Sequence, residues 1–148
     1  MKMMEREIKF RGYVDKCDED EQRWVYGDLC HEEINDGMRM ERPVICYYDE
    51  DVGWYSNHVY DDSVGQWTGV DDGHGNEIYE GDIIDTIILG KRDVCVVEWD
   101  EDAFQYVLRS RDGFIWHTLG ELVNFLMVPF CVVGNMFENK KMMEGGEG

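Results

Sequence analysis

The residues best suited to chemistry here are four histidines, five cysteines and a large surplus of carboxylates. His31, His58, His74 and His117 lie far apart, and no HExxH sets two imidazoles on one helical turn. His58 is followed by Asp61 and Asp62, which suggests a small cluster of metal ligands; a polar loop residue beside an acidic turn explains it more simply. The run from Asp71 to Glu77, DDGHGNE, is acidic and glycine-rich like a calcium loop. Counted from Asp71, the twelfth position is Asp82, where an EF-hand needs a bidentate Glu, so a tight turn between strands is expected instead. Gly73-His74-Gly75 lacks the third glycine and the following helix of a dinucleotide fingerprint. Neither a Walker A run nor a GxSxG elbow occurs, and serine is confined to Ser56, Ser63 and Ser110. Cys17, Cys30, Cys46, Cys95 and Cys131 show no CxxC spacing; Cys46, Cys95 and Cys131 sit inside apolar runs and read as small buried hydrophobes. These patterns assign no catalytic residue, no metal and no cofactor.

Any such residue has to be positioned by a small, acidic chain. It has 148 residues, the size of one domain, and residues 1–148 are read as a single domain with a polar, fraying tail at 139–148. Fourteen Lys and Arg oppose 33 Asp and Glu, for a net charge of -19. That sign repels phosphate backbones and anionic lipid, so a nucleic acid or membrane partner is not expected. It suits a basic protein partner, and it also suits a protein that imitates DNA. The N-terminal MKMMEREIKF has no apolar signal core, and an odd number of unpaired-looking cysteines fits reduced thiols in a cytoplasm.

Short alternating segments dominate. Residues 7–13, 23–29, 44–48, 54–60, 63–70, 83–89, 94–99 and 103–108 read as strands, with a closing strand within 131–137. The first two should pair as a hairpin, as should the segments at 83–89 and 94–99. Residues 31–43 read as polar and irregular, with a turn at Asp36-Gly37. Within 103–108, Phe104, Tyr106 and Leu108 fall on one face. One helix is expected at 119–126, where Thr118 and Glu121 complete a capping box and Leu119, Leu122, Val123 and Leu126 form its apolar stripe. The fold class is therefore mainly β: a small barrel-like or two-sheet antiparallel domain with one short C-terminal helix. Trp24, Trp54, Trp67, Trp99 and Trp116, with eight Tyr, suit core and cross-strand packing, or the centre of a homo-oligomer or heteromer interface.

Five segments in order make a family pattern: Arg6–Gly12 (REIKFRG), Trp24–Leu29 (WVYGDL), Val64–Gly69 (VGQWTG), Asn76–Ile83 (NEIYEGDI) and, after Val96-Val97-Glu98-Trp99, Val133–Asn139 (VGNMFEN). This order resembles the YopX-like family of small phage and prophage proteins. The stretch from His31 to Asp62 is less family-like, and Asp61-Asp62-Ser63 replaces a Pro-Glu-Thr often seen before Val-Gly-Gln. The resemblance implies a mostly β domain with no assigned enzymatic activity, working inside an infected or lysogenic bacterium. It also draws attention to Gln66, Trp67, Thr68, Asn135 and Glu138 as a possible polar recognition site, although turn and bulge roles explain the same motifs.

The leading functional reading is a phage or prophage accessory protein that acts by contact with a host or phage protein. A DNA-mimicking inhibitor of a host DNA-binding protein and a metal-dependent enzyme are the alternatives. A nucleic acid-binding module would require a basic patch drawn from Lys9, Arg11, Arg39, Arg42, Lys91, Arg92, Arg109 and Arg111.

Overall fold

A computed structural model describes residues 7–19, 21–34 and 40–144. The chain divides into two compact units, Met1–Trp67 and Thr68–Gly148.

In the first unit, alternating residues build four strands: β1 (Phe10–Tyr13), β2 (Trp24–Ile34), β3 (Met40–Asp49) and β4 (Gly53–His58). β5 (Gly65–Asp71) begins in this unit, and its Gly65 and Gln66 pair with Arg11 and Phe10. The order is β4-β3-β2-β1-β5, antiparallel throughout. The expected first hairpin is present, with Phe10 opposite Gly27 and Tyr13 opposite Trp24. Arg11 lies on the face of β1 opposite Phe10, where alternation would place a solvent-facing charge. It is buried, with its guanidinium 4.6 Å from the Trp24 ring centre. A planar cation can stack on an aromatic face at low desolvation cost, so a strand with the right period can still bury a charge. The core is small: Val14, Val25, Ile45 and Val59, with Phe10, Leu29, Tyr47 and Val64 against it. Gly12 permits this closeness, since a Cβ there would lie 2.7 Å from Val59.

Residues 31–34 and 40–43 are strand rather than irregular chain. β2 and β3 continue past the core as a ladder that pairs His31 with Pro43, Glu32 with Arg42 and Glu33 with Glu41. Most of these side chains meet solvent on both faces, so no apolar alternation marks the segment while backbone pairing sustains it. The expected turn at Asp36-Gly37 lies outside the described residues.

The second unit holds the end of β5, then β6 (Glu77–Tyr79), β7 (Asp82–Ile88), β8 (Lys91–Asp100), β9 (Gln105–Ser110), β10 (Ile115–Thr118), α1 (Leu119–Asn124) and β11 (Cys131–Asn135). β6 lies beside β5, and the other strands form a sheet in the order β10-β9-β8-β7-β11. The first four of these are consecutive hairpins, while β11 returns to the outer edge of β7. The register of β11 shifts between Val132 and Gly134, the bulge expected near Gly134-Asn135. Tight turns use glycine at positive φ, as at Gly81 (φ 88°), where the Asp82 carboxylate accepts the Tyr79 N–H at 2.8 Å.

The α1 cap forms as expected, with Thr118 Oγ1 accepting the Glu121 N–H at 3.0 Å. The helix ends at Asn124, earlier than expected, and only Leu119 and Leu122 of its stripe are buried. Val123 faces solvent, and Met127 at φ 49° turns the chain away. Phe104 is likewise not in β9. It sits exposed in the preceding turn at φ 52°. The core is aliphatic: Ile78, Ile84, Ile88, Cys95, Val97, Leu108, Leu119 and Leu122. Among the described residues the architecture is thus the two-sheet form of the expected β fold, with one short α-helix and no closed barrel. Lys140–Met143 form a 3-10 turn, and no helix among the described residues is long and apolar enough to cross a membrane.

Candidate functional site

The densest array of polar side chains lies in the first unit. β3 and β4 pair Tyr47 with Tyr55 and Ile45 with Asn57, placing the two tyrosines and Asn57 on the core side of the sheet. Asn57 is 1 % exposed and fully engaged. Its Oδ1 accepts from the Tyr47 hydroxyl at 2.6 Å, and its Nδ2 donates to Asp18 and Glu19, each at 2.9 Å. Arg23 donates to Glu19 at 2.7 Å and to the Tyr47 hydroxyl at 3.1 Å. Tyr55 also donates to Glu19. These donors, Tyr55 foremost and then Arg23 and Asn57, lower the Glu19 pKa to about 2, while the bond to Glu19 raises that of Tyr55. The loop after β1 is thereby fastened to β4 through carboxylates.

His58 extends this array onto the opposite face of the sheet. Its Nδ1 lies 3.0 Å from Asp18 Oδ1 and its Nε2 lies 2.7 Å from Glu32 Oε2. A neutral imidazole donates from one nitrogen only, so two carboxylate partners select the imidazolium. The bond from Asp18 is the main cause of a raised His58 pKa, opposed by burial and reinforced by Glu32. The carboxylates beside His58 are therefore Asp18 and Glu32, while Asp61 and Asp62 open a 3-10 turn. Among the described residues, no group of three or more His, Cys, Asp or Glu is arranged to hold a metal ion.

The tip of the β3–β4 hairpin is built differently. Tyr48 pairs with Trp54, and their rings meet edge to face at 5.6 Å. Both rings remain open to solvent, Tyr48 at 63 % and Trp54 at 74 %. Asp49 accepts the Asp51 N–H at 2.8 Å and the Val52 N–H at 3.2 Å, which closes the turn with Gly53 at φ 84°. Asp49 is thus committed to the turn, whereas Glu50 and Asp51 in the same turn are exposed.

In the second unit, the acidic glycine-rich segment is a turn and not an ion loop. Asp72 is 6 % exposed, and its carboxylate accepts from the His74 and Asn76 N–H groups, both at 2.9 Å, and from the Asn76 side chain and Val132 N–H, both at 3.0 Å. Burial pushes the Asp72 pKa up, but these four bonds outweigh it and lower it to about 2. A nearby pocket of about 180 Å3 is lined by residues including His74, Asp85, Thr86, Arg92 and Cys131. Arg92 is bound to Asp85 at 2.9 and 3.0 Å, so its charge is already met. The same holds for Arg109 with Glu98 and for Arg111 with Asp93. Three members of the candidate basic patch are thus held in ion pairs, Lys9 and Arg11 lie over the Trp67 and Trp24 rings, and Arg39 lies outside the described residues.

A family model described as YopX protein matches residues 9–144. The chain belongs to the YopX family. Among solved structures it is similar to the crystal structure of protein EF1440 from Enterococcus faecalis, at 18 % identity and a TM-score of 0.50, covering 95 % of this chain and 100 % of that one. At that identity the likeness is one of fold. No curated protein matches.

The YopX motif residues singled out in the sequence fall into separate local roles. Gln66 pairs with Phe10, and Trp67 receives the Lys9 ammonium 4.9 Å from its ring centre. Thr68 is buried and donates to the Ile78 carbonyl at 2.8 Å. Asn135 and Glu138 bond to each other, with Asn135 Oδ1 accepting the Glu138 N–H at 2.8 Å and Asn135 Nδ2 donating to Glu138 at 3.2 Å. Sequence reasoning did not single out Asn57, Glu19 or the Tyr48–Trp54 pair as functional residues. The pair was accessible in principle, since two strands around the turn DEDVG place Tyr48 and Trp54 opposite each other. The Asn57 contacts span nearly forty residues and leave no local trace.

Proposed function

We propose that this YopX protein is a phage or prophage accessory protein that acts in the host cytoplasm by binding a basic segment of a host or phage protein. The observation that carries this reading is the hairpin tip, where two exposed aromatic rings flank a turn with exposed acidic residues at Glu50 and Asp51. Exposed Trp and Tyr are the side chains that anchor protein interfaces, and their ring faces attract Lys and Arg. The net charge of -19 favours a cationic partner over a second copy of the same chain. In this reading the internal bonds of Thr68, Asn135 and Glu138 serve their own strands, and any recognition by Gln66 and Trp67 is secondary.

The test is affinity purification from an infected host, followed by binding measurements with the purified partner at low and high salt. Trp54→Ala should weaken that binding at least tenfold, and the joint change Glu50→Lys with Asp51→Lys should remove most of its salt dependence. A partner that ignores both changes, or self-association as the only interaction found, would overturn the reading.

A further inference from the structure

The register of β2 and β3 brings together two cysteines that sixteen residues separate in sequence. Cys30 stands opposite Val44, and Cys46 stands opposite Asp28. The two thiols are therefore diagonal neighbours on one face of the sheet, the face that also carries Tyr48, Trp54 and His58. Their sulfurs are 3.7 Å apart, with the Cys46 thiol directed at the Cys30 sulfur. Cys30 is exposed and Cys46 partly so, and both are reduced.

We propose that Cys30 and Cys46 form a modification site, a dithiol that a peroxide converts reversibly into a disulfide across β2 and β3. Disulfide sulfurs lie about 2.05 Å apart, so closing the 3.7 Å gap takes rotation of both side chains and a small approach of the two strands, since diagonal neighbours start near the upper limit of disulfide Cα separation. Cys30, the more accessible thiol, meets the oxidant first. Its thiolate attacks one peroxide oxygen, breaks the O–O bond and leaves Cys30 as a sulfenic acid with one water released. Cys46 then attacks the sulfenyl sulfur and a second water departs, so two thiols and one hydrogen peroxide give one disulfide and two waters. Burial, the bond to Cys30 and the charge of Asp28 raise the Cys46 pKa, which leaves the first attack on the oxidant to Cys30. An exposed disulfide between strands belongs to the labile, reducible kind suited to a reducing compartment. The other three cysteines are placed differently: Cys95 is buried with its pKa pushed up to about 12, Cys17 is exposed in the loop after β1, and Cys131 is partly buried at the start of β11.

The test uses the full chain, reduced, exposed to a few equivalents of hydrogen peroxide, then blocked with N-ethylmaleimide and mapped by mass spectrometry. The expected product takes up two fewer maleimides, has lost two hydrogens, and yields a peptide joining Cys30 to Cys46 that dithiothreitol separates. Cys17→Ser should give the same product. Cys46→Ser should stop the reaction at an oxidised, unbridged Cys30. Peroxide that consumes Cys17 while Cys30 and Cys46 still take up maleimide would overturn the proposal, as would a Cys30 sulfenic acid that accumulates in the unaltered chain beside a free Cys46. Neither result depends on the identity of a protein partner.

Discussion

The two units stabilise comparable sheets by different means. The second packs eight buried aliphatic or thiol side chains from β6 to α1 into one cluster. The first buries four, and adds an array in which Asn57, Tyr47, Arg23, Glu19, Asp18 and His58 are joined by hydrogen bonds. Apolar burial is indifferent to pH and tolerates small shifts, whereas a buried polar array needs every partner in place. The contrast implies that the second unit is the more robust, and that the order of the first depends on keeping a network of polar partners together.

The largest effect should come from the aliphatic core. Leu122→Ala is expected to destabilise the second unit by about 3 kcal/mol through lost burial and the cavity it leaves, read by urea unfolding with hydrogen exchange resolved along the chain. Loss of less than about 1 kcal/mol would mean that the cluster around α1 is not what holds this unit. Next is Asn57→Ala, expected to cost about 2–3 kcal/mol because Asp18, Glu19 and Tyr47 all lose a partner. Exchange protection should fall in β4 and the loop after β1 while the second unit keeps its own. Uniform loss across both units would erase the contrast.

Asp72→Asn tests the strongly shifted carboxylate of the second unit, at about 2 kcal/mol near neutrality. Its lowered pKa means that the native carboxylate adds stability above the unfolded value, near pH 4, and that this is lost as the pH falls towards 2. The difference between wild type and variant should shrink over that interval.

The smallest effect belongs to His58→Gln, about 1 kcal/mol given partly exposed ion pairs. Here the sign is opposite. A raised histidine pKa contributes fully below the unfolded value, near 6.5, and the contribution fades as the pH rises through the folded value. The urea midpoint of the native chain should therefore drop relative to the variant from near-neutral pH upward. A difference constant across that range would show that His58 does not carry the charge its two carboxylates imply.

Local patterns explain how much of this was legible. The β1–β2 and β7–β8 hairpins, the Thr118 cap, the Gly81 turn and the bulge in β11 all follow from alternation, turn chemistry or a capping box within a few residues. The long ladder from His31 to Pro43 was missed because both of its faces are largely polar, leaving no period to read. Phe104 was misplaced because its positive φ holds it in the turn before β9, and Val123 because the short helix buries only Leu119 and Leu122 of the expected stripe. The array around Asn57, the Asp72–Val132 bond and the Cys30–Cys46 contact depend on register or on distant pairing. They could be found only once the strands were aligned.

The return of β11 to β7 has a further consequence, during translation. The strands β7 to β10 can pair as each leaves the ribosome, because every partner is the preceding strand. The outer edge of β7, with Ile83 and Ile84, has no partner until Cys131–Asn135 emerges. At roughly 5–20 residues per second, that edge stays open for several seconds on every nascent chain, with unpaired backbone groups able to template a neighbour. A chain cut short before Cys131 would keep that opening permanently, and inclusion bodies rather than soluble fragments are the expected fate of such truncations.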